Sequence, residues 1–123
     1  MNLTEFAKEI HDNAVTHGWW EKERNFGEII ALCHSELSEA LEEYRDNRPQ
    51  AYVVRTASEQ EIITSIDDFK PNEKPEGIAV ELADCIIRIL DYCGRENIDI
   101  ERIVKIKHEF NKSRPYKHGG KKI

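Results

Sequence analysis

The stretch that most constrains the fold runs from Gly77 to Cys93, with the sequence GIAVELADCIIRILDYC. From Ile78 onward, twelve of its sixteen residues are apolar or aromatic. The four exceptions are spaced by three, four and three residues, so they share one face of an α-helix: Glu81, Asp84, Arg88 and Asp91. Because such a helix must bury its apolar sides, its polar stripe is expected to face a partner helix or a small wet cavity.

A matching polar surface is predicted in an earlier helical segment, HSELSEALEEYR. Glu36 and Glu39 are three residues apart, so their carboxylates project from neighbouring turns. Glu36 also belongs to an otherwise apolar column that is expected to face the core: Ile29, Cys33 and Ala40. If the two helices pack side by side, four carboxylates converge: Glu36, Glu39, Glu81 and Asp84.

Converging carboxylates repel one another unless a cation lies between them. Their hard oxygen ligands suit Mg²⁺, with Mn²⁺ as a substitute, and Mg²⁺ completes its shell with water and substrate phosphates. The alternative is a polar seam between the helices, neutralised by Arg88. Arg88 and Asp91 are interpreted as such a seam below the metals, and Glu42 and Glu43 as ordinary surface acids.

A complementary group of phosphate-binding residues is predicted at the end of the last helix. Lys107, Asn111 and Arg114 follow one another at four and three residues, so they share one helix face. A cation, an amide and a guanidinium in line suit phosphate oxygens. The alternative is a charged helix end that satisfies the helix dipole.

The aromatic loop before the second helix supplies the candidates for binding a nucleotide base. Trp19, Trp20 and Phe26 could stack on a base, with His17 or Asn25 bonding to its edge. The alternative reading is packing, because paired tryptophans such as Trp19 and Trp20 in a helix–helix loop usually cap a core.

Composition and charge limit the class of protein. The 123 residues, 34% charged and 39% hydrophobic, predict one helix-rich domain with a modest interior. Residues 112–123 carry five Lys or Arg and no acid, so the first 111 residues hold 13 basic against 24 acidic side chains, a net of -11. An acidic body excludes a nucleic-acid-binding surface but suits divalent cations, and the basic tail could bind an anion.

The cysteines and the apolar runs predict a cytoplasmic protein. Cys33, Cys85 and Cys93 lie in apolar helical patterns without metal-binding spacing, so we interpret them as reduced packing residues. The apolar runs are too short to span a membrane, and the first residues lack a signal-peptide pattern.

The periodicity predicts an all-α chain of four helices with a small insertion. The helices are expected over residues 3–17, about 27–44, 78–93 and from Ile100 to the tail SRPYKHGGKKI, with Gly94 as a C-cap. Asn2 or Thr4 is available to cap the first helix, and Asp99 the last. Within the insertion, residues 45–76, the β-branched runs AYVVR and IITSI fit a small β-hairpin, with an irregular flap as the alternative.

Three segments together resemble the MazG-like nucleoside triphosphate pyrophosphohydrolases: HSELSEALEEYR, KPEGIAVELADCIIRILDYC and NKSRPYKHGGKK. The resemblance covers well over half the chain, and KPEGIAVELAD followed by RPYKHGGK is its specific part. It implies an all-α subunit that assembles into a dimeric or tetrameric helical bundle. It also implies that Mg²⁺ is bound by four acids: Glu36, Glu39, Glu81 and Asp84.

The activity implied by this resemblance is release of pyrophosphate from a (deoxy)nucleoside triphosphate, leaving the monophosphate, in nucleotide-pool cleaning. Lys107, Asn111 and Arg114 match positions that such enzymes use around the phosphates. The expected reaction is attack of water on the α-phosphorus, with Glu39, or else Glu36, as the catalytic base.

Two other functions remain open at this point. One is a related pyrophosphohydrolase such as a phosphoribosyl-ATP pyrophosphohydrolase, against which the RPYKHGGK tail argues. The other is a non-catalytic helical interaction module or nucleotide-binding regulator that uses the acids as an interface. A diiron bundle is disfavoured, because neither Glu36 nor Glu81 is followed by His at the Glu-x-x-His spacing.

Overall fold

The computed structural model describes residues 1–116, which divide into two compact units. The first unit contains residues 1–19 and the chain from Leu90 onward, and the second contains residues 20–89. The described residues form four α-helices in the predicted order: α1 Leu3–Thr16, α2 Phe26–Arg45, α3 Ile78–Arg95 and α4 Ile100–Ser113. None of these helices combines the length and the apolarity needed to cross a membrane.

In the first unit, side chains at the start of α1 connect it to the start of α4. Asn2 caps α1, since its side chain accepts a hydrogen bond from the Glu5 backbone N–H at 2.9 Å. Thr4, the other predicted cap, donates its hydroxyl to Asp99 Oδ1 at 2.7 Å instead. Asp99 itself accepts from the Arg102 N–H and caps α4, as predicted.

The core of the first unit forms where α1 crosses the last turns of α3. Ala7, Leu90 and Cys93 are buried there against partly buried Ile10, Ile98 and Ile100. Gly94 was expected to end the helix, but α3 continues to Arg95 and Gly94 is a packing residue. A Cβ at Gly94 would lie 2.4 Å from the Ala7 carbonyl oxygen, so only glycine permits this approach of α1.

The prediction of an all-α chain is wrong, because the second unit contains a three-stranded antiparallel sheet between α2 and α3. Its strands are β1 Tyr52–Ala57, β2 Gln60–Ser65 and β3 Pro75–Glu76, in the order β2-β1-β3. Their β-branched residues favour extended structure, and Val53 is completely buried. The insertion is therefore an ordered sheet rather than an irregular flap.

The hairpin of β1 and β2 depends on a two-residue turn. Ser58 and Glu59 both adopt positive φ, 52° and 63°, which matches the twist of the flanking strands. The strands pair from Ala57 with Gln60 down to Tyr52 with Ser65. A short 3₁₀ helix, Ile66–Asp68, follows β2.

The third strand fixes where α3 begins. Pro75 and Glu76 pair with Val53 and Tyr52, and the next residue, Gly77, has a φ of 118°. A Cβ at Gly77 would lie 2.4 Å from the Gln50 carbonyl oxygen, which also accepts the Ala79 N–H at 2.8 Å. The sheet and this bond therefore position the first turn of α3, which carries Glu81.

The three cysteines agree with their interpretation as packing residues. Cys33, Cys85 and Cys93 are all buried and none forms a disulfide. Burial raises the pKa of the Cys93 thiol, and it raises the pKa of Cys33 together with the nearby thiol of Cys85. Such thiols are protonated and poorly reactive at neutral pH.

Candidate metal centre

The acidic residues of the second unit are placed by two helices that run antiparallel. Glu39 on α2 lies near Glu81 at the start of α3, and Cys33, two turns earlier, lies near Cys85. The predicted buried column of α2 is confirmed, since Ile29, Cys33, Glu36 and Ala40 are its buried residues. Glu36 is only 7% exposed, so its carboxylate is held in the interface between helices.

Three of the four predicted metal ligands converge. One carboxylate oxygen from each of Glu36, Glu39 and Glu81 lies within 4.8 Å of the others. Asp84 is outside this group, although its pKa is raised by burial and by the charge of Glu36. The arrangement is thus a three-carboxylate cluster with a fourth acid one turn along α3.

Within the cluster, Glu81 is the carboxylate whose charge and hydrogen-bonding capacity are least compensated by neighbouring groups. Its Oε2 is buried, and no residue among 1–116 offers it a hydrogen bond. Burial and the adjacent carboxyl groups of Glu39 and Glu36 raise the pKa of Glu81 to about 8. This raised pKa favours the protonated form of Glu81 at neutral pH, in which the carboxyl group can donate to Glu36 or Glu39, and a cation between the carboxylates would replace that proton.

Arg88 contacts a member of the carboxylate cluster. The sequence interpretation had instead placed it in a separate polar seam, outside the metal site. Its Nε donates a hydrogen bond to Glu36 Oε1 at 2.8 Å. Burial would raise the pKa of Glu36, but the bond and the charge of Arg88, together with hydrogen bonds to Glu39 and Glu81, outweigh it and lower that pKa. The available signal was the position of Arg88 on the polar stripe of α3, but that stripe did not identify Glu36 as its partner.

This contact gives the alternative of a neutralised polar seam some support. One guanidinium, however, compensates one carboxylate, and the cluster contains three. Glu81 is the residue that stays uncompensated, as its raised pKa and buried Oε2 indicate. Carboxylate oxygens of this kind are ligands that hard divalent cations such as Mg²⁺ accept.

A cavity of about 200 Å³ adjoins the cluster, and its lining is acidic: Glu39, Glu42, Glu43, Asp46 and Glu81. The interpretation of Glu43 as an ordinary surface acid is wrong, since it accepts the hydroxyl of buried Tyr52 at 2.9 and 3.0 Å. Burial and this bond raise the pKa of Tyr52 to about 12. Tyr52 thus connects β1 to the wall of the cavity.

The predicted phosphate-binding residues lie in the first unit, with Lys107 and Asn111 on α4 and Arg114 as its C-cap, where the backbone is already extended. The Lys107 ammonium and the Arg114 guanidinium lie 4.8 and 5.7 Å from the centre of the Phe110 ring, so both occupy its side of the helix. Lys107 and Asn111 are exposed. Their role at phosphates stays a prediction, and tail residues 117–123 lie outside the described chain.

The predicted base-binding residues have individual structural roles. Trp20 is half-buried, and Phe26 is the exposed first residue of α2. His17, which belongs to the first unit, contacts the Asn13 carbonyl oxygen through Nδ1 at 2.8 Å. The Asn25 side chain accepts the Glu28 N–H and caps α2, so its oxygen is already used.

Comparisons with protein-family models, with curated proteins and with solved structures found no match to this chain.

Proposed function

We propose that the protein is an Mg²⁺-dependent nucleoside triphosphate pyrophosphohydrolase, which produces a nucleoside monophosphate and pyrophosphate. The observation that carries this proposal is the convergence of Glu36, Glu39 and Glu81 within 4.8 Å, with a buried Glu81 oxygen that lacks a partner. The sequence resemblance to MazG-like enzymes supports the same activity. Cleaning of the nucleotide pool in the cytoplasm is the expected setting.

The exposure of each carboxylate suggests whether it would hold the cation or act as the base. Glu36 and Glu81, the less exposed pair, would hold the cation, with Asp84 one turn away. When bound, Mg²⁺ would neutralise phosphate charge next to the acidic cavity, with Mn²⁺ as a substitute. Glu39 is exposed and lines the cavity, so it is the better placed carboxylate to take a proton from an attacking water.

The proposed reaction is an in-line displacement at the α-phosphorus. A new bond forms between the water oxygen and the α-phosphorus, and the bond from the α-phosphorus to the α,β-bridging oxygen breaks. Glu39 accepts the proton of the water, and pyrophosphate leaves. Lys107, Asn111 and Arg114 are the proposed phosphate contacts, and Trp20, Phe26 and His17 the proposed base contacts.

A second copy of the chain is the proposed partner. Large apolar side chains recur along the exposed sides of α2 and α3 at helical spacing: Ile30, Leu37, Leu41, Leu82, Ile86 and Ile89. Exposed apolar stripes of this kind are typical of surfaces that another subunit covers. They support the expected homodimer or homotetramer.

The experiment that tests the activity is product analysis with a panel of ribo- and deoxyribonucleoside triphosphates and Mg²⁺. Equal amounts of monophosphate and pyrophosphate are expected, and Glu81→Gln should lower turnover at least ~100-fold, as expected for loss of a metal ligand. Glu61→Gln removes an exposed acid from β2 and is the matched control. Release of orthophosphate, or full activity in Glu81→Gln, would contradict the proposal.

A further inference from the structure

The ion pair of Arg88 and Glu36 places a permanent positive charge against a proposed metal ligand. Arg88 Nε lies 2.8 Å from Glu36 Oε1, and the two side chains are 26% and 9% exposed. Guanidinium–carboxylate bonds in partly buried positions are stronger than surface pairs. Arginine keeps its charge at all relevant pH values, so a change of pH does not remove this positive charge from the site.

We propose, on the basis of the function proposed above, that Arg88 is a resident counter-cation that positions Glu36 and weakens the affinity of the cluster for Mg²⁺. It is a positioning residue, because it acts on the metal site through Glu36.

The positioning part follows from the geometry of Glu36. Its carboxylate is nearly buried and lies beside two others, Glu39 and Glu81, which repel it. The bond from Arg88 engages Oε1, so it sets the direction in which Glu36 offers an oxygen. Without Arg88, the orientation of Glu36 would no longer be fixed before the metal binds, whereas a cation bound between the carboxylates would still attract it.

The effect on affinity follows from charge. A guanidinium in direct contact with a metal ligand repels a cation bound to that ligand, with little screening in a partly buried site. Asp84 and the three clustered carboxylates attract the cation, and Arg88 offsets one of these charges. The site would therefore bind Mg²⁺ more weakly than its carboxylates alone would allow.

A purely structural role for Arg88 predicts the opposite result. If the ion pair only stabilised the packing of α3 against α2, its loss would increase the distances between the clustered carboxylates and weaken Mg²⁺ binding. The sign of the change in Mg²⁺ affinity therefore separates the two roles.

The test is calorimetric titration of the full-length chain with Mg²⁺ alone, followed by turnover measurements. Arg88→Gln should bind Mg²⁺ roughly tenfold more tightly, which corresponds to a Coulomb interaction of about 1.4 kcal/mol. Its kcat should fall at least ~10-fold, because Glu36 is no longer oriented. Arg88→Lys should restore the Mg²⁺ affinity to within about threefold of the wild type, because it keeps the charge.

Arg45→Gln is the control, since Arg45 is an exposed α2 residue whose loss changes the net charge equally. Equal or weaker Mg²⁺ binding by Arg88→Gln would overturn the role of Arg88 and leave the proposed activity standing. A wild-type chain that binds no Mg²⁺ would overturn both. If Arg88→Gln does not fold, Arg88→Lys decides, and binding more than about threefold weaker than the wild type would overturn the proposal.

Discussion

At the scale of single residues, Glu36 and Glu81 show how one cluster can shift the pKa values of two carboxyl groups in opposite directions. Burial disfavours the charge on both carboxylates. The contact with Arg88 nevertheless lowers the pKa of Glu36, whereas the neighbouring carboxyl groups add to burial and raise the pKa of Glu81 to about 8. The proton that the metal-free cluster needs is therefore held on Glu81.

This distribution predicts that the metal-free protein loses stability as pH rises. Glu81 has a pKa of 4.5 in the unfolded chain and about 8 in the folded one, so the folded state binds more protons between those values. The unfolding free energy should fall from about pH 5 to pH 8, with a slope of at most about 1.4 kcal/mol per pH unit. Groups with a lowered pKa, such as Glu73 and Asp99, act below this window.

Chemical denaturation in EDTA at a series of pH values measures this slope. Glu81→Gln should reduce the slope, because the group with the larger shift is gone and only Asp84, whose pKa is also raised, still contributes with the same sign. Mg²⁺ should also reduce it by replacing the proton. A wild-type curve that is already flat from pH 5 to pH 8 in EDTA would contradict the assignment of the proton to Glu81.

The sequence predicted the site only in part at this scale. The i,i+3 spacing and the position of Glu36 in an apolar column were enough to predict that Glu36, Glu39 and Glu81 lie close together. The sequence offered Arg88 only as a neutralising charge in the alternative of a polar seam, and it missed the role of Glu43. The partner of Arg88 is 52 residues away, and the partner of Glu43 is nine residues away across a turn in another element, so neither pair follows from the periodicity of one helix. Periodicity identifies a helix face but not the side chain opposite it.

At the scale of elements, the start of α3 is the part of the fold on which the cluster depends most. Gly77 combines a left-handed φ with a close approach to the Gln50 carbonyl group, and Glu81 follows one turn later. The helices were predictable because their apolar periodicity is local. The strand β3 was not, since its two residues, one of them proline, pair with β1 more than twenty residues earlier.

Gly77→Ala should destabilise the protein by about 2–4 kcal/mol, because the new Cβ meets backbone atoms and the φ is strained. The metal affinity should fall with it, since the first turn of α3 must shift. Gly27→Ala is the matched control: Gly27 is helical, its nearest neighbour to a new Cβ is Asn25 Oδ1 at 3.4 Å, and alanine should stabilise α2 by up to about 1 kcal/mol. Thermal unfolding of both variants measures the contrast, and equal unfolding midpoints would contradict the role given to Gly77.

At the scale of the whole molecule, the feature that a single copy of the chain does not explain is the exposure of large apolar residues on α2 and α3. Leu41 and Ile86 are 59% and 54% exposed, although each lies on a helix whose opposite side is buried. A chain of 123 residues can build only a modest core, and the charged share of 34% leaves few apolar residues to spare for the surface. Association of subunits would bury these stripes.

Sedimentation velocity is expected to find a dimer or tetramer for the wild-type chain at micromolar concentration. Leu41→Lys together with Ile86→Lys should shift the protein toward monomer, because two charges cannot be buried without partners. Val15→Lys changes a similarly exposed residue of α1 and is the control. A wild-type protein that is monomeric throughout the concentration range would contradict the proposed assembly.

The central claim, that the carboxylate cluster is a metal centre, is tested most directly by calorimetric titration with Mg²⁺ of the wild type and of Glu81→Gln. The wild type should bind Mg²⁺, and Glu81→Gln should bind it at least ~10-fold more weakly, since a ligand with a buried, unpartnered oxygen is lost. The control Glu61→Gln should match the wild type. Absence of binding by the wild type, or undiminished binding by Glu81→Gln, would contradict the claim.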